Sequence, residues 1–263
     1  FSISTKGVGE GDFTMVYGFP GTTKQYLHSA EVDFVQNYSN PAKIGLRTIR
    51  LDIINAASDA DRAVRIAYAA KAASIANAWK KWQGETLGLE RLGTINKKKA
   101  YEDGYRQWAQ GKPPYSTVVD DMQKLYDQLY EFAYVRDYYN EAILTIELVK
   151  AAREYKGPES DGGRVPEDVV TFYKDYYPDI DRAIAKKLLK EYVENVPPAY
   201  IPEDFNANIS QHGGPDKYVD WVFDNSIYVN GEKVMGLYSD KTEFEQARKT
   251  DPAVKQYQKF LQM

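Results

Sequence analysis

The sequence predicts a mainly α-helical protein: an elongated multi-helix domain with a short β-strand or hairpin near its N-terminus. Apolar residues recur at helical spacing over most of the 263 residues. Residues 116–155 contain no Pro or Gly, so an unbroken helix there would span roughly 60 Å. A compact chain of this length has a diameter under about 50 Å. The domain is therefore expected to be elongated, or this helix to bend.

The exception to the helical pattern is residues 11–27. Phe13, Met15 and Tyr17 alternate with other residues as in a strand, and the following Gly-Phe-Pro-Gly predicts its end. Residues 229–234, Val-Asn-Gly-Glu-Lys-Val, are expected to form a short hairpin. We interpret residues 11–27 as one strand of a β-barrel whose other strands this chain does not contain.

Two helices are expected to follow. Asn40, an N-cap residue with proline directly after it, predicts a helix over about 41–57. Ser58 and Asp61 resemble a capping box that opens a second helix, over about 58–83. Because Ala, Val and Ile occupy nearly every side of the second helix, we expect neighbouring elements to enclose it.

The long helix over 116–155 is expected to pack against another helix along one seam. Its apolar residues follow alternating spacings of four and three, and Arg136 falls on the same seam. They are Val118, Met122, Leu125, Leu129, Phe132, Tyr139, Ile143 and Ile146. A guanidinium on an apolar seam needs carboxylate or hydroxyl partners, or a cleft where a ligand supplies them.

Two breaker-rich connections divide the rest of the chain. Residues 157–166 read as a flexible connection between helical layers, and 196–216 as a long connection of the kind that is often functional. Helices over about 242–248 and 252–261 are expected to end the chain.

Composition excludes several classes of function. The net charge is −4, from 34 basic and 38 acidic residues spread along the chain, so no basic stripe for nucleic acid exists. No apolar run is long enough for a membrane span. The absence of cysteine excludes thiolate metal sites and a cysteine nucleophile. Neither histidine lies at a metal-ligand spacing, and we expect no metal and no cofactor.

Catalytic motifs are also absent. No Gly-x-Ser-x-Gly elbow and no Gly-rich phosphate loop occurs. His28 and His212 are expected to be surface or turn residues, although a hydrolase that uses one of them with a carboxylate is a third, weaker hypothesis. Asn77 lies between two alanines with Trp79 close by, so its amide is accessible either to an interhelical partner or to a ligand.

Several short segments, taken together, resemble one family. They are Gly11-Asp12 with Phe13, Met15 and Tyr17, Gly-Phe-Pro-Gly (18–21), Gln-Tyr-Leu (25–27), Asn-Pro (40–41), Leu-Arg (46–47), Leu-Asp-Ile (51–53), Tyr-Ala-Ala-Lys (68–71) and Ser-Ile-Ala-Asn-Ala-Trp-Lys (74–80). In this order they resemble the bacterial exported serine dipeptidyl-peptidases of the seven and eleven types. That family carries a Ser-His-Asp triad on a chymotrypsin-like double β-barrel, with a large helical domain inserted over the cleft.

The resemblance implies a domain organisation and a site. Residues 1–25 would be a barrel segment and 26–263 the helical domain, with a possible subdivision near 157–166. The triad would lie outside this chain, which is then expected to be an inactive middle fragment. Asn77 matches the family's asparagine that binds the α-amino group of the substrate, and Arg136 and Trp79 are candidate cleft residues.

The same resemblance implies partners and a location. Peptide substrates and the missing barrel of the same protein would be the partners, and a homodimeric parent is compatible with it. The parent would be periplasmic or at the cell surface. The alternative hypothesis is a stand-alone helical peptide-binding or adaptor protein, in which residues 12–19 pair within the chain, for example with 229–234.

Overall fold

The computed structural model describes residues 3–15, 17–18 and 21–260, and in these ranges it contains thirteen α-helices and no β-strand. The mainly α-helical class is confirmed. The helices are α1 (Ser29–Phe34), α2 (Asn40–Ala60), α3 (Arg62–Arg91), α4 (Thr94–Ala109), α5 (Val118–Tyr138), α6 (Glu147–Glu154), α7 (Glu167–Lys174), α8 (Pro178–Asn195), α9 (Glu203–Gln211), α10 (Pro215–Asn225), α11 (Gly231–Leu237), α12 (Lys241–Thr250) and α13 (Pro252–Phe260). Two π-helical segments, Val35–Ser39 and Tyr139–Ile143, interrupt this series.

The N-terminal segment does not form the expected strand in its described part. Phe13 is 89% exposed and Tyr17 is 97% exposed, and no ladder partner faces them among the described residues. A strand needs a neighbouring strand to satisfy its backbone groups, and the described helices offer none. The predicted positions Val16, Phe19 and Pro20 lie outside the described residues.

Helices α2 and α3 form a long antiparallel pair. The expected start of α2 at Asn40 is confirmed. The expected start of α3 at Ser58 is wrong, because Asp61 is the residue that caps it, accepting a hydrogen bond from the Ala63 N–H at 2.7 Å. The expected enclosure of α3 is also wrong. Its outer face is exposed, including Ile66 at 69%.

The predicted helix over 116–155 is broken in two. Helix α5 passes into the π-helical segment, and α6 begins at Glu147. The apolar seam on α5 is not packed, since Leu125, Leu129 and Phe132 are 65%, 53% and 58% exposed. Ile143, beyond the end of α5, is fully buried. The seam prediction is therefore wrong for the part of it on α5.

The core lies in the second half of the chain, around α8. This helix packs against α2, α10 and the second π-helical segment, and its Leu188, Leu189 and Tyr192 are fully buried. The prediction that residues 157–166 form a non-helical connection is confirmed. The two helices predicted at the end of the chain are present as α12 and α13. The connection over 196–216 is wrong in part, because it contains α9.

The hairpin expected over 229–234 is a helix start instead. The Asn230 side chain accepts a hydrogen bond from the Lys233 N–H at 3.0 Å and caps α11. Asn-Gly is a hairpin signal, but asparagine is also a preferred N-cap residue. No strand in the described ranges lies beside it, so Asn230 acts as the N-cap.

The domain is elongated, as expected. Its accessible surface is 16655 Å², whereas a compact 30.0 kDa protein exposes about 11,700 Å². Within the described part of the chain, no helix combines the length and the apolar character that crossing a bilayer requires.

Candidate functional site

Asn77 stands on the outer face of α3. Nine residues separate it from the buried Tyr68, which places the two side chains on opposite sides of the helix, about 180° apart. The Asn77 side chain is exposed and has no hydrogen-bond partner among the described residues. The sequence left two interpretations of this amide, an interhelical hydrogen bond or a ligand contact. The structure does not contain the interhelical hydrogen bond among the described residues.

The charges around Asn77 are positive. Lys80 and Lys81 follow it within one turn, and Lys81 is paired only loosely with Glu85, at 3.8 Å. An amide can accept a hydrogen bond from an ammonium group and donate one to a carbonyl. Two nearby lysines oppose an ammonium group, so tight amine binding here needs a carboxylate from a surface facing α3.

Trp79 is on a different side of α3 from Asn77. It is half-buried, and its indole N–H donates to the Thr48 hydroxyl of α2 at 2.9 Å. The ring lines a groove of about 360 Å³ between α2 and α3. Trp79 therefore joins the two helices, and the structure does not bring it together with Asn77.

A buried charge cluster fixes α3 against the rest of the domain. Arg47 of α2 donates two hydrogen bonds to Glu141, at 2.9 and 2.8 Å, and a third to the Ile75 carbonyl of α3, at 3.1 Å. Glu141 lies in the second π-helical segment, and such bulges redirect side chains at functional sites. Arg50 adds a longer contact to Glu141, at 3.7 Å. The backbone two residues before Asn77 is thereby held in place.

Next to this cluster is a cavity of about 310 Å³ between α2, α3, α6 and α8. Its polar wall includes Arg50, Tyr68, Lys71, Ser74, Glu147 and Asp181. Lys71 pairs with Glu147 at 2.9 Å and donates to the Asp175 carbonyl at 2.6 Å. Ser74 lies one helical turn before Asn77, so the cavity is adjacent to the Asn77 face. Burial lowers the pKa of Arg50 against the opposing effect of Glu141.

Asp181 is the most deeply buried carboxyl of this region. It accepts hydrogen bonds from the backbone N–H groups of Glu147 and Leu148, both at 2.8 Å, and from the Tyr176 hydroxyl at 3.2 Å. It therefore caps α6. Burial raises the pKa of Asp181 to about 7, and the Glu147 carboxylate acts in the same direction.

We expect the stability of this domain to fall as the pH rises through the range over which Asp181 loses its proton. Its native pKa is raised above the ordinary value of 3.8, so between about pH 4 and 7 the native state holds a proton that the unfolded state releases. Between pH 5 and 8 the unfolding free energy of the wild type should fall by on the order of a few kcal/mol more than that of Asp181→Asn, which has no proton to lose at this position. Urea unfolding at both pH values measures this difference.

The control for that experiment is Asp179→Asn, at an exposed carboxylate two residues away on α8. It should keep the wild-type pH dependence. An equal pH dependence in wild type and Asp181→Asn would show that Asp181 ionises normally in the native state.

Arg136 lies on an exposed part of α5. Its side chain is 65% exposed and contacts the Asp137 carboxylate at 3.2 Å. The other oxygen of Asp137 accepts a hydrogen bond from Ser39 at 2.5 Å. Arg136 thus has the carboxylate partner that its charge requires, on a surface rather than on a packed seam.

The histidines and the carboxylates of the described ranges do not assemble a metal site. No group of three or more His, Asp or Glu side chains there could hold a metal ion. His212 is half-buried and contacts the Asn208 carbonyl at 2.7 Å. His28 is only 5% exposed, so its predicted surface position is wrong.

Comparison with known proteins shows the family of this chain. The family model described as Peptidase S46 matches residues 1–263, the whole chain. This chain belongs to the peptidase S46 family. Among its relatives are an Asp/Glu-specific dipeptidyl-peptidase of Capnocytophaga gingivalis, 32% identical over 97% of this chain, and dipeptidyl-peptidase 7 of Porphyromonas gingivalis, 33% identical over 96%. In both alignments this S46 chain spans 37% of the relative's length.

A solved structure has the same fold over most of this chain. The crystal structure of DPP11 from Porphyromonas endodontalis covers 93% of it with a TM-score of 0.73 and 26% identity, and the match involves 38% of that chain. The same enzyme in complex with the dipeptide Arg-Glu matches equally well, at 25% identity. The S46 relatives are thus dipeptide-releasing peptidases, and at least one is known with a bound dipeptide.

Sequence reasoning missed the charge cluster that positions α3. Arg47 was noted only as part of a family segment, and Glu141 and Asp181 were not singled out. The available signal was the Arg47 and Arg50 pair, three residues apart on the same predicted helix. Two buried guanidinium groups require at least one buried carboxylate.

Proposed function

We propose that this chain is the helical domain of a serine-type dipeptidyl-peptidase, covering the active-site cleft and helping to bind the N-terminus of the substrate. Residues 26–263 would form this domain, with a division at the 157–166 connection, and residues 1–25 would belong to a protease β-barrel. The observation that carries the proposal is the exposed, unpartnered amide of Asn77 on a helix held rigidly by Arg47 and Glu141.

The geometry suits substrate binding and not covalent catalysis. Asn77 can accept a hydrogen bond from the α-amino group of a peptide and can donate to a peptide carbonyl. The lysines beside it call for a carboxylate on the facing surface, which the barrel of the parent protein would supply. Peptide substrates and that barrel are therefore the proposed partners, and a homodimeric parent in the periplasm or at the cell surface belongs to the same proposal.

The names of the two relatives differ in whether they state a substrate preference. This chain is about equally similar to an Asp/Glu-specific dipeptidyl-peptidase and to dipeptidyl-peptidase 7, at 32% and 33% identity. We infer that the helical domain recognises what all dipeptidyl substrates share, the free N-terminus. The preference for a particular side chain would then be set by the parent's barrel.

The isolated chain is expected to be inactive, because the proposed triad lies elsewhere in the parent protein. Purified chain 1–263 should release no chromophore from dipeptidyl p-nitroanilide substrates above the buffer rate, whereas the full-length protein should. Release by the isolated chain that persists after repeated purification would contradict the proposal and would favour a self-contained hydrolase.

The adaptor hypothesis receives no support from the described residues. It predicted that residues 12–19 pair within the chain as a strand, and the described part of that segment is exposed and contains no strand. The segment expected to pair with it, residues 229–234, contains the start of α11 and forms no strand.

A further inference from the structure

A second cleft lies at the other end of the domain from the charge cluster, between residues 25–28, α4 and α5. Its volume is about 420 Å³, which is within the usual range for small-molecule sites. The wall is mainly apolar and aromatic. It includes Tyr26, Leu27, Tyr101, Tyr105, Val119 and Met122.

Two buried polar groups also line this cleft, His28 and Glu102. The His28 side chain is 3% exposed and the Glu102 side chain 10% exposed. Lys98 of α4 donates to the Gln25 carbonyl at 2.5 Å and so ties the N-terminal wall of the cleft to α4. The site is therefore built from elements that are held together, with its polar groups withdrawn from solvent.

The hydrogen-bonding state of His28 follows from its contacts. Its Nδ1 accepts from the Ala30 N–H at 3.1 Å, so the ring proton is on Nε2. That Nε2 is buried and has no hydrogen-bond partner among the described residues. The Glu102 Oε2 atom is 3.7 Å away, which is too long for a hydrogen bond. A buried donor without an acceptor is rare in a folded protein.

Glu102 has remaining acceptor capacity. Its Oε1 accepts from the Ser29 backbone N–H and its Oε2 from the Ser29 hydroxyl, both at 2.6 Å. A carboxylate oxygen has two lone pairs. A hydroxyl group on the cleft side, bridging the His28 Nε2 and Glu102 Oε2 atoms after a small rotation of the His28 ring, would accept from Nε2–H and donate to Oε2.

We propose that this cleft binds an aromatic hydroxyl group, a phenol, either as a free small molecule or as a tyrosine side chain of a peptide. The ring would lie among Tyr26, Tyr101, Tyr105 and Met122, with its hydroxyl between His28 and Glu102. The domain already uses the same pairing internally, since the Tyr126 hydroxyl donates to Glu31 at 2.6 Å and Tyr176 donates to Asp181. The site is independent of the proposed peptidase function.

The test uses chain 1–263 labelled with ¹³C at the methionine methyl groups. Met122 reports the cleft, and Met235, half-buried on α11, is the internal reference. Titration with p-cresol should shift the Met122 resonance saturably and leave Met235 unchanged. Toluene, which lacks the hydroxyl, should bind about tenfold more weakly, because the hydrogen bonds to the buried pair are lost.

Variants assign the effect to His28. His28→Asn keeps an acceptor for the Ala30 N–H and removes the Nε2–H donor, because the amide of the shorter side chain does not extend to that position. p-Cresol and toluene should then bind equally. Met122→Glu, at a wall position that is partly exposed, should abolish binding of both, which calorimetric titration measures without the Met122 label. Leu129→Ala, on the same helix but outside the cleft, should bind as wild type does.

The source of the phenol is decided by N-acetyl-tyrosinamide. If it displaces p-cresol, the cleft accepts a tyrosine side chain in a peptide; if it does not, free phenols are the ligands. An unchanged Met122 resonance, equal affinity for p-cresol and toluene, or a preference for p-cresol that survives in His28→Asn would overturn the proposal.

Discussion

Replacing Glu141 with alanine is expected to destabilise the domain by about 3–5 kcal/mol. Its carboxylate accepts two hydrogen bonds from Arg47 and lies 3.7 Å from Arg50. The Arg47 and Arg50 side chains are only 17% and 14% exposed. Their charges would be left buried without the carboxylate that contacts both, although Arg47 would keep its hydrogen bond to the Ile75 carbonyl. Removing one side of a buried ion pair is the strongly unfavourable way to break it. Urea unfolding at pH 7 measures the change.

Two further variants serve as references for the size of this effect. Glu154→Ala removes a surface pair with Arg153, in which the side chains are 38% and 32% exposed, and should cost no more than about 1 kcal/mol. Glu141→Gln keeps an acceptor for Arg47 and should fall between the two. A Glu141→Ala protein as stable as Glu154→Ala would show that water reaches both arginines and that the cluster does not hold α3.

In the full-length peptidase that we propose, Asn77→Ala should lower kcat/KM for dipeptidyl substrates roughly 5- to 150-fold. That range corresponds to about 1–3 kcal/mol, the contribution of a hydrogen bond to a charged group in a partly buried site. The substitution removes no contact within the described part of the domain, because Asn77 is exposed and unpartnered there. The loss would therefore be in substrate binding and not in folding.

The matched control is Asn55→Ala. It removes an exposed asparagine from within the neighbouring helix, α2, away from both helix ends. Both variants should unfold at the wild-type urea concentration, and Asn55→Ala should keep the wild-type kcat/KM. If Asn77→Ala stays within twofold of wild type, Asn77 does not contact the substrate, and another residue must bind the N-terminus.

The parts of the fold that were predicted correctly depend on local signals. Asn40 followed by proline starts α2 where expected, and the breakers over 157–166 form a connection. The end of the long helix could not be predicted in this way. Asp181 caps α6 from 34 residues further along the chain, so the partner that starts a new helix at Glu147 is distant in sequence.

The residues of the candidate site also fall into those that local sequence signals predict and those that depend on distant residues. The exposure of Asn77 follows from helical phase once Tyr68 is known to be buried, whereas its proposed role follows from the family resemblance. The burial of His28 depends on Glu102 and on the Tyr126 ring, whose centroid is 5.5 Å from the imidazole. Nothing within ten residues of His28 indicates either contact. The seam on α5 failed for the opposite reason, because its regular spacing has no facing helix within the described residues.

A crystal structure of the full-length protein with a bound dipeptide tests the central claim most directly. We expect the Asn77 side-chain oxygen within hydrogen-bond distance of the dipeptide's α-amino nitrogen, about 2.7–3.2 Å. A carboxylate from the barrel should contact the same nitrogen. A dipeptide whose amino group is more than about 6 Å from Asn77, well beyond hydrogen-bond reach, with α3 facing solvent, would contradict the role proposed for this domain.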